Sequence, residues 1–228
     1  MYGLMDLLQY LYIEPPKKST YKEDIITKIT ALHEKELRLK ASTNQNIIYL
    51  NFSISGLRGR HHPALSNLIT SYDVMKSQPH IKMLCNDYFT YEKRSQLSGG
   101  SSHCRTCSSK TLCVLNEENL PIESITHIIT ECETYNDIRE RIYIEFSSLC
   151  RRAKYPLNFQ EILSDNNTIC QFVLDPSSMN LKTRINLNDP ILDEIFKLSR
   201  DLCYSIHSRR IKILNEFKKK EGNSKKKD

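Results

Sequence analysis

Ser102-His103-Cys104-Arg105-Thr106-Cys107, followed by Thr126-His127-Ile128-Ile129-Thr130-Glu131-Cys132, is the stretch around which the chain is organised. It spells Cys-x2-Cys, a nineteen-residue spacer, then His-x4-Cys. A Cys-x2-Cys turn presents two thiolates on one knuckle. His127 and Cys132 stand about a helical turn apart and can share a face. Zinc takes four such soft or borderline donors in a tetrahedron, sulfur at about 2.3 Å and imidazole nitrogen at about 2.0–2.1 Å. Cys104, Cys107, His127 and Cys132 are therefore the expected ligands of one structural zinc ion. His103, beside Cys104, and Cys113, in the spacer, are alternative donors that could replace a member of the four. Scattered buried thiols behave as small hydrophobes and would also account for cysteines in a chain without a secretion signal. A second His/Cys pair close to the first favours metal over that bland explanation.

Composition sets the frame. The 228 residues are 39% hydrophobic and 26% charged, enough apolar side chain for a modest core and too much for wholesale disorder. Six glycines are few for a many-turned β fold. The net charge of +6 is uneven: residues 218–228 hold six lysines against Glu221 and Asp228. That leaves 27 Lys and Arg against 25 Asp and Glu over residues 1–217, a body close to neutral. Residues 1–14 lack a basic leader and a cleavage site, and no run approaches the ~20 apolar residues of a membrane span. The chain is expected to be intracellular, nuclear or cytoplasmic, with no membrane and no small-molecule substrate as partner. In such a reducing compartment cysteines favour metal or free thiol over disulfides.

Outward from the knuckle the pattern is helical. Ile138, Ile142, Phe146 and Leu149 mark a helix over about 134–152, with Thr134 as N-cap and Asp137 completing a capping box. Ile191, Ile195, Leu198, Leu202, Ile206, Ile213 and Phe217 predict a long helix opened by Asp189-Pro190. Phe159–Leu163 and Ile169–Leu174 read as short helices, and Asp175–Ser178 as a turn. Upstream, Leu4, Leu7, Leu8 and Leu11 stand at helical spacing over residues 1–13. Nothing precedes them to pack on, which suggests a piece of a longer protein. A second helix is expected over about 21–40. Ile47–Ile54 is β-rich and reads as a strand or a short helix. Pro63 opens one helical pattern and Pro79 another. The segments so defined are 1–44 (helical), 45–96 (helical, leading to the knuckle), 97–152 (zinc knuckle and following helix), 153–217 (C-terminal helices) and 218–228 (disordered lysine-rich tail). The fold class is mainly α, with a small zinc knuckle, a short hairpin or loop, set between helices.

Cations outside the tail are candidate phosphate contacts. Arg58 and Arg60 lie in a basic loop, 56–62; Lys93 and Arg94 follow the aromatics Tyr88, Phe89 and Tyr91; Arg105 sits in the knuckle; Arg139 and Arg141 lie on the helix after it. Aromatics interleaved with cations can stack bases and hold phosphates, although core packing gives the same pattern. No Gly-rich phosphate loop is present, and no carboxylate pair matches a two-metal site.

The combined pattern Cys104-x2-Cys107, Glu123-x3-His127-x4-Cys132 and Tyr135-x3-Arg139 resembles the zinc-binding segment at the C-terminal end of reverse transcriptases from non-LTR (LINE-type) retrotransposons. Residues 61–90 and 174–214 are also similar in wording to the metazoan versions, so the resemblance covers roughly residues 45–214. It implies a structural zinc and a region that grips template RNA or target DNA beside a polymerase core that this chain does not contain. On that expectation the chain neither polymerises nor cleaves nucleic acid. The rival reading is a helical protein-interaction module with the same structural zinc, a domesticated or decayed transposon remnant, which the near-neutral body favours.

Overall fold

The structure is a computed structural model and describes residues 18–44, 47–50, 62–65, 68, 70–107, 120–152, 158–178 and 190–224. Its regular elements are helices: α1 (Lys18–Thr43), α2 (Ser71–Leu84), α3 (Tyr91–Ser98), α4 (Asn136–Arg152), α5 (Phe159–Leu163), α6 (Asn166–Leu174) and α7 (Pro190–Ser224). Among the described residues the one β feature is an antiparallel bridge between His103 and Ile122. The chain is thus mainly α, with a Cys3His cluster between helices near residues 104–132. Among the described residues no helix is long and apolar enough to cross a membrane.

α7 is the spine. Leu192, Ile195, Phe196, Leu202, Cys203 and Ile206 recur about a turn apart and are all buried. α2 packs against α7, and so does α4. The buried stripe is centred slightly off the expected one: Ile191 and Leu198 are half-buried at its edge, while Cys203 lies fully inside. α4 turns Ile138, Ile142, Phe146 and Leu149 inward, as their spacing predicts. Phe146, Phe159 and Phe172 bring α4, α5 and α6 together, with ring centroids 5.3 to 5.9 Å apart. Burying each such side chain stabilises the fold by about 1.5–3 kcal/mol.

Local chemistry explains where the elements start and where expectation and structure part. Thr70 and Asp73 form a reciprocal capping box at the start of α2: Thr70 Oγ1 accepts from the Asp73 N–H at 3.1 Å, and the Asp73 carboxylate accepts from the Thr70 N–H at 2.9 Å. The break expected at Pro79 does not occur, and one helix runs through it. Proline deprives only the carbonyl four residues back of a donor. That residue is Met75, on the exposed side, 44% accessible. α3 emerges from the aromatic stretch because Thr90 caps it, accepting from the Lys93 N–H at 3.1 Å. Residues 47–50 form a turn rather than a strand, with the Leu50 N–H on the Ile47 carbonyl at 3.1 Å. The Tyr49 carbonyl accepts from Gln171 Nε2 on α6 at 2.8 Å, where a strand would need a backbone partner.

Thr134 does not cap α4. Its hydroxyl donates to the Thr106 carbonyl at 2.8 Å, and a 3-10 turn, Glu133–Tyr135, leads into the helix. α7 continues past Phe217 to Ser224, through lysines and a glutamate that are good helix formers. His62 serves the fold: its Nε2 lies 3.3 Å from the buried Asp175 carboxylate at the end of α6. The helix expected over 1–13, the basic loop residues Arg58 and Arg60, Cys113 and the Asp189 cap lie outside the described residues.

Candidate metal centre

Two short backbone segments set the first pair of ligands. The Cys104 N–H donates to the Pro121 carbonyl at 2.8 Å, and the Glu123 N–H to the Ser102 carbonyl at 2.9 Å. This clasp presents Cys104, and a helical turn at residues 105–107 brings Cys107 round beside it. The second pair comes from a π-helical turn, His127–Glu131, closed by the Cys132 N–H on the His127 carbonyl at 2.8 Å. An α-helix rotates about 100° per residue, so residues five apart would stand about 140° apart around the axis. The wider π turn brings His127 and Cys132 back toward one side. This is the physical reason that a His-x4-Cys spacing works here.

The four ligand atoms, one each from Cys104, Cys107, His127 and Cys132, lie within 4.8 Å of one another. Cys104 Sγ and Cys132 Sγ are 3.9 Å apart, Cys107 Sγ and Cys132 Sγ 3.2 Å, and Cys107 Sγ and His127 Nε2 3.3 Å. Donors at zinc bond lengths on a tetrahedron would be about 3.5–3.8 Å apart. The donor set and the spacing therefore fit a metal ion such as zinc. Cys104 and Cys132 are fully buried and His127 nearly so. Hydrogen bonds from neighbouring thiols pull Cys132 and Cys104 below the ordinary cysteine range, while those same contacts hold Cys107 above it.

A second layer of contacts orients the ligands. His127 Nδ1 lies 3.1 Å from Glu131 Oε2, which aims Nε2 at the sulfurs. Glu131 is itself held by Asn166 Nδ2 of α6 at 2.6 Å. Thr106 Oγ1 approaches Cys104 Sγ at 3.0 Å and Cys132 Sγ at 3.5 Å. Arg139, from α4, is buried and donates to the carbonyls of Cys132 (2.7 Å) and Ile128 (3.4 Å). Its guanidinium is spent on holding the metal loop and does not face solvent. His103 Nδ1 donates to the Leu120 carbonyl at 2.7 Å, so it braces the clasp and stands outside the cluster.

Glu123 links the cluster to α7. It is fully buried, with Oε2 3.7 Å from Cys104 Sγ and Oε1 accepting from Arg210 Nη2 at 2.5 Å and from the Tyr91 N–H at 3.0 Å. Burial raises its carboxyl and Arg210 opposes that rise. Arg210 also lies over the Tyr88 and Tyr91 rings, 5.5 and 5.8 Å from their centroids. Glu123 appears in the sequence pattern, but its partner is 87 residues away and carries no local signal.

The remaining cationic candidates are dispersed. Lys93 is engaged by Asp87 at 3.1 Å and by the Asn86 carbonyl at 2.7 Å. Arg94 is exposed on α3, and Arg141 is exposed on α4. Arg105 is exposed on the knuckle and lies over the Tyr91 ring at 5.3 Å. Arg94 and Arg105 line one cleft together; Lys93, Arg139 and Arg141 do not. No protein-family model matches the chain, and neither a curated protein nor a solved structure shows a significant match to it.

Proposed function

We propose that Cys104, Cys107, His127 and Cys132 hold one structural zinc ion, and that the chain is a zinc-stabilised nucleic-acid-binding region rather than an enzyme. The observation that carries the reading is the convergence of four soft donors, from two separate stretches, to within 4.8 Å. Four protein ligands close the coordination sphere and leave no position for water or substrate, the arrangement of structural sites. Bound zinc would supply a cross-link between the Cys104–Cys107 clasp and the π turn, and Glu131, Thr106 and Arg139 keep the donors oriented toward it. The nucleic-acid half of the reading follows the resemblance to the C-terminal zinc segment of LINE-type reverse transcriptases. It is supported by the cations Arg94 and Arg105, which stand beside the knuckle on one cleft.

Two measurements test it. Elemental analysis of the purified chain should give one zinc per chain, lost on Cys104→Ser or His127→Ala. Fluorescence anisotropy with labelled RNA and DNA should show affinity that falls steeply with salt, because neutralised phosphates release counterions. A metal-free chain, or one indifferent to nucleic acid at low salt, would overturn the corresponding half. A second reading, a helical protein-interaction module with the same metal, is favoured by the exposed apolar side chains Tyr72, Val74 and Met75 on α2.

A further inference from the structure

A cleft of about 660 Å³ opens beside the metal centre, between the Tyr88–Arg94 stretch, the knuckle and the second half of α7. Its size falls in the range of ligand clefts, about 300–1,000 Å³. Its chemistry is mixed in a specific way. Phe89, Tyr91 and Phe217 supply aromatic surface, with Tyr88 buried behind them, and Phe89 is 56% exposed, unusual for a side chain that core packing alone would place. Lys82, Arg94, Arg105, Arg210 and Lys218 supply cations, against one lining carboxylate, Asp87. Lys93 already engages Asp87, and Glu123 engages Arg210. Among the described residues Lys82, Arg94 and Lys218 form no ion pair, so the cleft carries uncompensated positive charge. Its rim at Gly99 and Gly100 carries no side chain. The backbone there runs at φ +71° and +103°, conformations that glycine adopts without strain, and the space beside each is open.

We propose that this cleft binds a single-stranded nucleic-acid segment, with bases against Phe89 and its aromatic neighbours and phosphates on Arg94, Arg105 and Lys218. The inference rests on the nucleic-acid reading above and gives it a place and a strandedness. Aromatic faces with a cationic track are the means by which proteins take unpaired strands of any sequence. In a duplex the bases are stacked on one another and offer no free face, and their edges rather than their faces are what a protein reads. The cleft is fastened to the metal centre: Glu123 contacts Cys104 on one side, and on the other it holds Arg210 and the Tyr91 backbone. Arg210 in turn supports the Tyr88 and Tyr91 rings.

The test uses the full chain, zinc-loaded, with a fluorescein-labelled twelve-nucleotide oligo-U, oligo-dT and a twelve-base-pair duplex as probes (lengths of roughly one site). Phe89→Ala should weaken single-strand binding by about tenfold, the scale of one lost base-stacking contact. The Arg94→Glu, Lys218→Glu double variant should weaken it further and reduce the salt slope by about 0.7 per lost phosphate contact. Neither change touches the ligands or the buried core, so zinc content and circular dichroism should match the unmodified chain. Equal binding of duplex and single strand, or unchanged affinity in both variants while the parent chain binds, overturns the cleft and leaves the broader reading standing. A parent chain that binds none of the probes overturns both. Weakening of an acidic peptide's binding by these variants, with no oligonucleotide binding, would assign the cleft to a protein partner and overturn the proposal.

Discussion

The knuckle and the helical bundle behind it share one core but differ in the contacts they add to it. The bundle, α4 to α7, is held by apolar surface: the Phe146, Phe159 and Phe172 cluster, and the α7 stripe of Leu192, Phe196, Leu202 and Ile206. The knuckle adds a dense set of buried polar groups. Glu123, Thr106, His127, Thr134 and Arg139 are all nearly inaccessible, and each contacts a ligand or the backbone that carries one. Such a network is costly unless satisfied in full. Buried apolar side chains are present there too, Ile125, Ile128, Ile129 and Tyr135, and the bundle buries some polar ones, Ser199 and Arg200 among them. The difference teaches where stability comes from in each half. On the proposed reading one half would depend on an ion, the other on packing.

The largest expected effect breaks the comparison at the metal. In small zinc peptides the ion contributes about 10–16 kcal/mol near neutral pH, so strong chelation or Cys104→Ser should unfold the knuckle while much of the bundle's helicity survives. Circular dichroism paired with hydrogen exchange checks this; equal loss in both halves would show that they fold as one unit. Cobalt substitution should give thiolate charge-transfer absorption that His127→Ala alters. The reciprocal experiment strikes the bundle. Phe172→Ala removes a fully buried ring and should cost about 3–5 kcal/mol in urea denaturation, with metal content unchanged.

A smaller effect comes from pH. His80 of α2 is completely buried, its Nε2 donating to the Leu174 carbonyl at 3.0 Å. Burial lowers its pKa to about 4 from an ordinary 6.5, with the Val173 and Leu174 carbonyls opposing. The folded state therefore prefers the neutral ring. The stability this contributes is complete above pH 6.5 and is lost as pH falls toward 4, by about 3 kcal/mol in all. His80→Gln should flatten that part of a stability–pH curve measured on the bundle. The smallest effect lies on the surface of the bundle, where the knuckle leads into α4. Arg209 of α7 pairs with Asp137 at the start of α4, Nη2 to Oδ2 at 2.8 Å, and the carboxylate is mostly exposed. Asp137→Asn should cost about 0.2–1 kcal/mol, less at high salt.

Legibility in the sequence follows the same divide. The bundle announced itself through periodicity, because a helix that buries one face must repeat its apolar residues, as α4 and α7 do. The Cys3His cluster was legible because metal-binding donors recur at characteristic spacings, and Cys104, Cys107, His127 and Cys132 do converge. What lay out of reach had no local signature. The Glu123–Arg210 pair joins residues 87 apart. The π turn at His127–Glu131 has no composition of its own, and its necessity is visible only once His127 and Cys132 are known to meet. Pro79 misled because a proline's effect on a helix depends on which carbonyl it deprives, and solvent can satisfy one on the exposed side. Thr134 had the right neighbours for a cap, yet its hydroxyl found the Thr106 carbonyl across the knuckle, a tertiary choice that outranks a local one.

Of the four ligand residues Cys107 alone is only half-buried, while Cys104, His127 and Cys132 are shielded. Cys107 is thus the member of the cluster nearest to solvent. That asymmetry governs traffic rather than equilibrium. A competing chelator or an alkylating reagent would be expected to meet the Cys107 side first. If the cluster holds an ion as proposed, its lifetime under oxidative or electrophilic stress would be governed first by the Cys107 thiolate.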